Sequence, residues 1–158
     1  MGRCESASMR KILTTVVAAC IGLAGSATQA DAGLLSATRE VIAMLADELF
    51  VGEAEGHLDG SGTLAIHSLE KPRLICRGQF TSSAELGGSG TFLCSDGATA
   101  TFHFQRLGLF RGFGAGSFSR GGLSFAYGFA AEEAAPYLNL PRGKKLALNG
   151  SGLTLTDF

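Results

Sequence analysis

Two hydrophobic rhythms divide the chain. In the run LLSATREVIAMLADELF, residues 34–50, apolar side chains recur at Leu34, Val41, Leu45 and Leu49, with Leu35, Ile42 and Phe50 beside them. Arg39, Glu40, Asp47 and Glu48 take other positions. This recurrence near 3.6 residues predicts an amphipathic helix over 33–50. After Val51 the period falls to two. Ala100, Phe102 and Phe104 alternate with Thr99, Thr101, His103 and Gln105, and Leu123, Phe125, Tyr127 and Phe129 repeat the alternation. One apolar and one polar face is the mark of antiparallel strands packed on a core.

A short glycine signature punctuates the period-two region. It occurs as Gly60-Ser61-Gly62, Gly88-Ser89-Gly90, Gly114-Ala115-Gly116 and Gly150-Ser151-Gly152, at offsets of 28, 26 and 36 residues. Each of the first three copies opens a strand–turn–strand unit. Strands 63–68 and 73–80 join through Glu70-Lys71-Pro72, strands 91–95 and 98–107 through Ser95-Asp96-Gly97, and strands 117–119 and 123–129 through Arg120-Gly121-Gly122. Asp-Gly and Gly-Gly favour tight hairpins because they tolerate positive φ. The longest interval contains a predicted short helical insert near 131–138.

The glycines of the first three copies share parity with inward apolar residues. Gly60 and Gly62 align with Leu64 and Ile66, Gly88 and Gly90 with Phe92, and Gly114 and Gly116 with Phe118. In the fourth copy Leu153 and Leu155 have the opposite parity. Glycine on a packed face admits a neighbouring backbone or a sharp bend. The expected fold is therefore all-β, with repeated antiparallel hairpins in a closed or nearly closed sheet preceded by one N-terminal amphipathic helix. Residues 51–158 are expected to form a single β-repeat domain, as the length of 158 residues allows.

Composition adds two constraints. Glycine reaches 23 of 158 residues, about twice the usual ~7%, and its placement makes that excess positional. The 13 basic and 14 acidic side chains give no footprint for nucleic acid.

The segments Gly88-Ser89-Gly90-Thr91-Phe92-Leu93-Cys94-Ser95-Asp96-Gly97 and Gly112-Phe113-Gly114-Ala115-Gly116-Ser117-Phe118-Ser119-Arg120-Gly121 resemble the G-x-G-x-aromatic hairpin of MORN repeats. The resemblance covers about 88–129 and, more loosely, 60–80. It implies a binding or scaffolding surface rather than catalysis.

The N-terminal residues read as an export signal. Arg3, Arg10 and Lys11 precede the apolar run 12–24, and small residues follow to Ala30. Cleavage is expected after Ala30 or Ala32, and removal of residues 1–32 leaves ten basic and twelve acidic side chains. Val17-Ala18-Ala19-Cys20 also looks like a loose lipobox, so a lipoprotein anchored through Cys20 is the alternative.

Among the remaining residues, Cys76 and Cys94 carry the clearest expectation. Pairing the strands about residue 85 sets Cys76 opposite Cys94, Gly78 opposite Phe92 and Phe80 opposite Gly90. Directly opposed strand positions bring cysteines within disulfide reach, chiefly at non-hydrogen-bonded pairs. Export would supply the oxidising conditions. Two buried free thiols are the competing reading.

Chemistry of other kinds is sparse. His57, His67 and His103 have no metal-ligand spacing, no G-x-S-x-G serine motif occurs, and no cofactor is called for. Glu53 and Glu55 share strand parity on what reads as a solvated edge. Phe110, Arg111, Phe113 and Arg120, with Arg106 nearby, are the candidate partner surface, because aromatic and arginine side chains dominate binding hot spots. Pro141-Arg142-Gly143-Lys144-Lys145 is a short basic loop. The expected function is an exported periplasmic or envelope protein with a non-catalytic binding or structural role toward an envelope protein or surface component. Two alternatives stand beside it. One is a membrane-associated accessory protein held by the 34–50 helix or by Cys20. The other is an enzyme or metal protein whose site gathers dispersed residues such as Glu55, His57, His67 and His103.

Overall fold

The computed structural model describes residues 36–83, 85–150 and 152–158. The expected signal segment, both cleavage points and Cys20 lie outside them.

Eight strands form a closed antiparallel barrel: β1 (Ser36–Leu45), β2 (Glu48–His57), β3 (Ser61–Ser68), β4 (Ile75–Ser83), β5 (Gly87–Cys94), β6 (Thr99–Arg106), β7 (Gly112–Phe118) and β8 (Gly121–Tyr127). Each strand pairs with the next in sequence, and β8 returns to β1 with Leu123 opposite Leu45 and Tyr127 opposite Val41. Closure leaves the barrel without free edges. Inward positions carry the apolar set, including Phe50, Ile66, Phe92, Phe102, Phe104 and Phe118, all buried. Outward positions carry Glu53, Thr63, His67, Arg77, Gln79, Thr91, Thr101 and His103, all exposed. This polarity is the reverse of a transmembrane barrel, whose outer band faces lipid.

Residues 36–50 do not form the amphipathic helix expected over 33–50. The described part is β1, a two-residue turn at Ala46-Asp47, and the start of β2, so the barrel begins before residue 51. The physical reason is burial on both faces. Val41, Ala43 and Leu45 pack in the barrel core, whereas Ile42 and Met44 belong to a second cluster on its outside. A strand buried on both sides loses its alternation and reads as a continuous apolar run. The turn adds to the ambiguity, because Ala46 adopts a left-handed φ of 52° without being glycine.

The second cluster is completed by the chain that follows β8. The insert expected near 131–138 is a short helix α1 (Ala131–Ala134) continued by a 3-10 turn (Ala135–Tyr137). Beyond it, β9 (Lys144–Asn149) and β10 (Gly152–Asp157) pair in a separate two-stranded sheet. The fourth glycine copy lies at this hairpin and not in the barrel, in keeping with the opposite parity of Leu153. Phe129, Ala134 and Leu138, with Leu146, Leu153 and Leu155 beside them, cover Ile42, Met44, Leu49 and Ala126. The buried Ser124 hydroxyl accepts a 2.8 Å hydrogen bond from the Asn139 N–H, tying this cover to β8.

One end of the barrel is sealed. Leu45, Phe50, Leu74, Ala98 and Phe118 fill it, and two ion pairs tie its turns together, Glu48 with Lys71 and Asp96 with Arg120. Burial pushes the Glu48 carboxyl up, but hydrogen bonds from Lys71 and Ser68 and the Lys71 charge together outweigh it and hold the carboxyl below the usual range. The expected register of β4 and β5 is present, with Cys76 opposite Cys94, Gly78 opposite Phe92 and Phe80 opposite Gly90. Cys76 and Cys94 are joined, with an S–S distance of 1.99 Å. The adjacent Ser95 N–H donates to the Ile75 carbonyl at 2.8 Å, so the cysteines occupy a non-hydrogen-bonded pair, where side chains approach most closely.

Candidate functional site: the barrel interior

Inward glycines make the interior what it is. At Gly62 a Cβ would lie 2.1 Å from a ring carbon of Phe80, and at Gly114 one would lie 2.4 Å from a ring carbon of Phe125. The parity expected for Gly62, Gly90 and Gly114 thus has a specific meaning: small residues on one strand seat aromatic rings from the next, whereas Gly116 admits the backbone of Thr101 and Phe102. Gly60 differs. It lies in the β2–β3 turn at φ 84°, where a left-handed backbone favours glycine.

The seated rings form a connected column. Phe118 lies 6.3 Å from Phe92, Phe92 lies 6.2 Å from Phe102, and Phe102 lies 6.4 Å from Phe104. Edge-to-face contacts branch from it, Phe102 with Phe125 at 5.3 Å, Phe104 with Phe80 at 5.6 Å and Phe104 with Tyr127 at 6.0 Å. Such geometry adds about 0.5–1.5 kcal/mol per pair beyond area burial. Below the unsealed end all of these rings except Phe118, with Leu64, Leu123 and several alanines, enclose a cavity of about 390 Å3. That volume falls within the ~300–1,000 Å3 of typical small-molecule sites.

The mouth of the cavity mixes apolar and cationic groups. Leu58 is 81% exposed, Leu109 74% and Phe110 46%, and all three line it. Leu86 and Leu107, on neighbouring turns, are also exposed at this end. The polar wall comprises Arg39, His57, Arg106 and Tyr127, with the Ser36 backbone segment beside them. Arg106 donates a 2.8 Å hydrogen bond to the Ser82 hydroxyl, and its Nε is buried without a partner. The Arg39 guanidinium lies 4.1 Å above the Phe110 ring and donates to the Thr38 carbonyl at 2.6 Å. Burial pushes the Tyr127 hydroxyl pKa up while the Arg106 charge pulls the other way, and the net rise keeps the phenol neutral.

The residues of the expected partner surface are dispersed. Phe110 lines the mouth, whereas the Arg111 guanidinium lies 5.5 Å from the ring of Phe129 in the outer cluster. Phe113 faces outward and stacks on Tyr137 at 4.7 Å, inside the C-terminal cover. Arg120 is in the β7–β8 turn at the sealed end, paired with Asp96. These four therefore do not make one patch. Arg106, grouped with them in sequence, turns into the barrel. His67 and His103 point outward from β3 and β6, His57 ends β2, and no three His, Cys, Asp or Glu side chains converge among the described residues. Arg39 and Tyr127 were not singled out by sequence. For Arg106 and Tyr127 a signal existed: they continue the inward parity of Phe102–Phe104 and of Phe125. Arg39 was hidden by the helical reading of its segment.

Fold and cavity together define a small closed β-barrel with an apolar interior open at one end. No family model, curated protein or solved structure matched this chain.

Proposed function

We propose that the protein is exported by its N-terminal segment and acts in the cell envelope, without turnover, as a binding protein whose barrel receives a small apolar molecule. The aromatic-walled cavity of about 390 Å3 carries this reading. A barrel of eight strands can be filled by side chains alone or hold one ligand, and here Ala37, Ala43, Ala54 and Gly56 line space that larger residues would occupy. The exposed apolar rim of Leu58, Leu109 and Phe110 gives an apolar solute a path inward. The expected export and the resemblance to binding repeats agree with such a role.

Titration of the mature protein with the neutral fluorophore N-phenyl-1-naphthylamine tests the reading. Saturable one-to-one binding with a blue-shifted emission is expected, and emission that never saturates would overturn it. Mass spectrometry of protein recovered from the envelope tests export. A chain starting at Asp31 or Gly33 is expected, whereas a lipid-modified Cys20 at the N terminus would support the anchored alternative. Residues 36–45 and 48–50 are barrel strands, so this reading does not rest on a membrane-bound helix over 34–50.

A further inference from the structure

We propose that the cavity selects an amphiphile with a single carboxylate head, held at the mouth by Arg106 and Arg39, with its apolar tail lying along the phenylalanine column. This inference rests on the reading of the barrel interior as a binding cavity.

Arg106 enters on the inward face of β6, two positions after Phe104. A guanidinium has five N–H donors and no acceptor. The neutral Ser82 hydroxyl receives one of them, and the buried Nε has no partner. A charge held in apolar surroundings without a counter-charge is costly and gains most from an anion brought to it. Arg39 supplies a second fixed cation, its guanidinium lying over the Phe110 ring. Among the described residues, the ion pairs are Glu48–Lys71, Asp96–Arg120 and Lys144–Asp157, so neither cavity arginine is neutralised by a carboxylate.

The acidic side chains nearest in sequence do not offset this charge. Glu40 alternates with inward Arg39 and Val41, and Glu53 and Glu55 alternate with inward Gly52, Ala54 and Gly56, which directs all three outward. The neutral Tyr127 hydroxyl adds another donor to the wall. A planar guanidinium fork matches a carboxylate in a bidentate arrangement. The modest volume suits a short tail, so decanoate is the appropriate probe.

Displacement of N-phenyl-1-naphthylamine by decanoate and by 1-decanol, at pH 8 and below micellar concentrations, separates head-group recognition from tail burial. Wild-type protein is expected to favour decanoate over decanol by at least about tenfold, the scale of a hydrogen bond to a charged group. Arg106→Gln and Arg39→Gln should each shrink that ratio by weakening decanoate more than decanol, and Arg106→Lys should restore part of it. Equal displacement by the two compounds in wild-type protein would overturn the carboxylate assignment while leaving the apolar carrier intact. So would an unchanged ratio in both glutamine variants. Failure of wild-type protein to bind the fluorophore at all would remove the carrier reading itself. If Arg106→Gln loses its near-UV circular dichroism, the wild-type ratio and Arg39→Gln decide.

Discussion

If inward glycines exist to seat aromatic rings, adding one methyl group at Gly62 should act through Phe80. A Cβ at Gly62 would lie 2.1 and 2.4 Å from two Phe80 ring carbons and 2.6 Å from the Glu55 carbonyl oxygen. Unstrained carbon contacts are about 3.5–4.0 Å, so the ring has to move by more than 1 Å. Its edge-to-face contact with Phe104, at 5.6 Å, would be disturbed by that movement. Overpacking costs about 1–3 kcal/mol and the lost ring contact about 0.5–1.5 kcal/mol. Replacing a strand glycine by alanine returns about 0.5–1 kcal/mol of backbone entropy. The net expectation for Gly62→Ala is a loss of about 2 kcal/mol, read as a lower urea midpoint at constant slope. Phe80→Leu removes the obstructing ring. The double variant should therefore be more stable than the sum of the two single effects by about 1 kcal/mol, well outside the ~0.3–0.5 kcal/mol of independent sites. Additive effects, or a neutral Gly62→Ala, would refute the seating argument.

Three further outcomes follow from the same geometry. The Cys76–Cys94 bridge spans 18 residues, for which loop-closure entropy predicts about 3 kcal/mol. Denaturant melts of Cys76→Ala/Cys94→Ala should show that loss, and a deficit under about 1 kcal/mol would contradict it. Ala46 holds a left-handed φ of 52° in the β1–β2 turn, so Ala46→Gly should stabilise the fold by about 1 kcal/mol in the same melts; a destabilised variant would show that the turn gains more from the methyl group than it loses in strain. The Glu48 carboxyl is held below its usual range in the folded state. Its contribution is thus complete above the unfolded carboxylate pKa and is lost as pH falls through the folded one. Stability measured from about pH 6 downward should decline less steeply in Glu48→Gln. The difference should stay within the ~0–1 kcal/mol of a solvent-accessible pair, and parallel curves would remove Glu48 from the acid response.

The parts of this molecule legible in sequence are those set by local chemistry. Asp96-Gly97 and the Gly121-Gly122 pair mark hairpins because their backbone demands are local. Alternation in residues 99–106 and 123–127 assigns faces because strand periodicity is two. Pairing about residue 85 gives the β4–β5 register and the opposition of Cys76 and Cys94, and parity shared with Leu64, Phe92 and Phe118 gives the inward placement of Gly62, Gly90 and Gly114. The all-β character of the hairpin region, punctuated by glycine, is likewise legible in the sequence.

Only the tertiary structure decided the identity of β1 and the existence of a cavity. Ile42 and Met44 look helical because they are buried under Phe129, Leu138 and Leu153, residues far later in the chain. No local window contains that cover, so periodicity could not separate a doubly buried strand from a helix. Closure of β8 on β1 likewise turns Arg39, Arg106 and Tyr127 toward one interior. Their parity could be read strand by strand, but their convergence depends on which strands meet. The same closure seats rings on Gly62, Gly90 and Gly114, and the space beside Ala37, Ala43 and Ala54 is the candidate site.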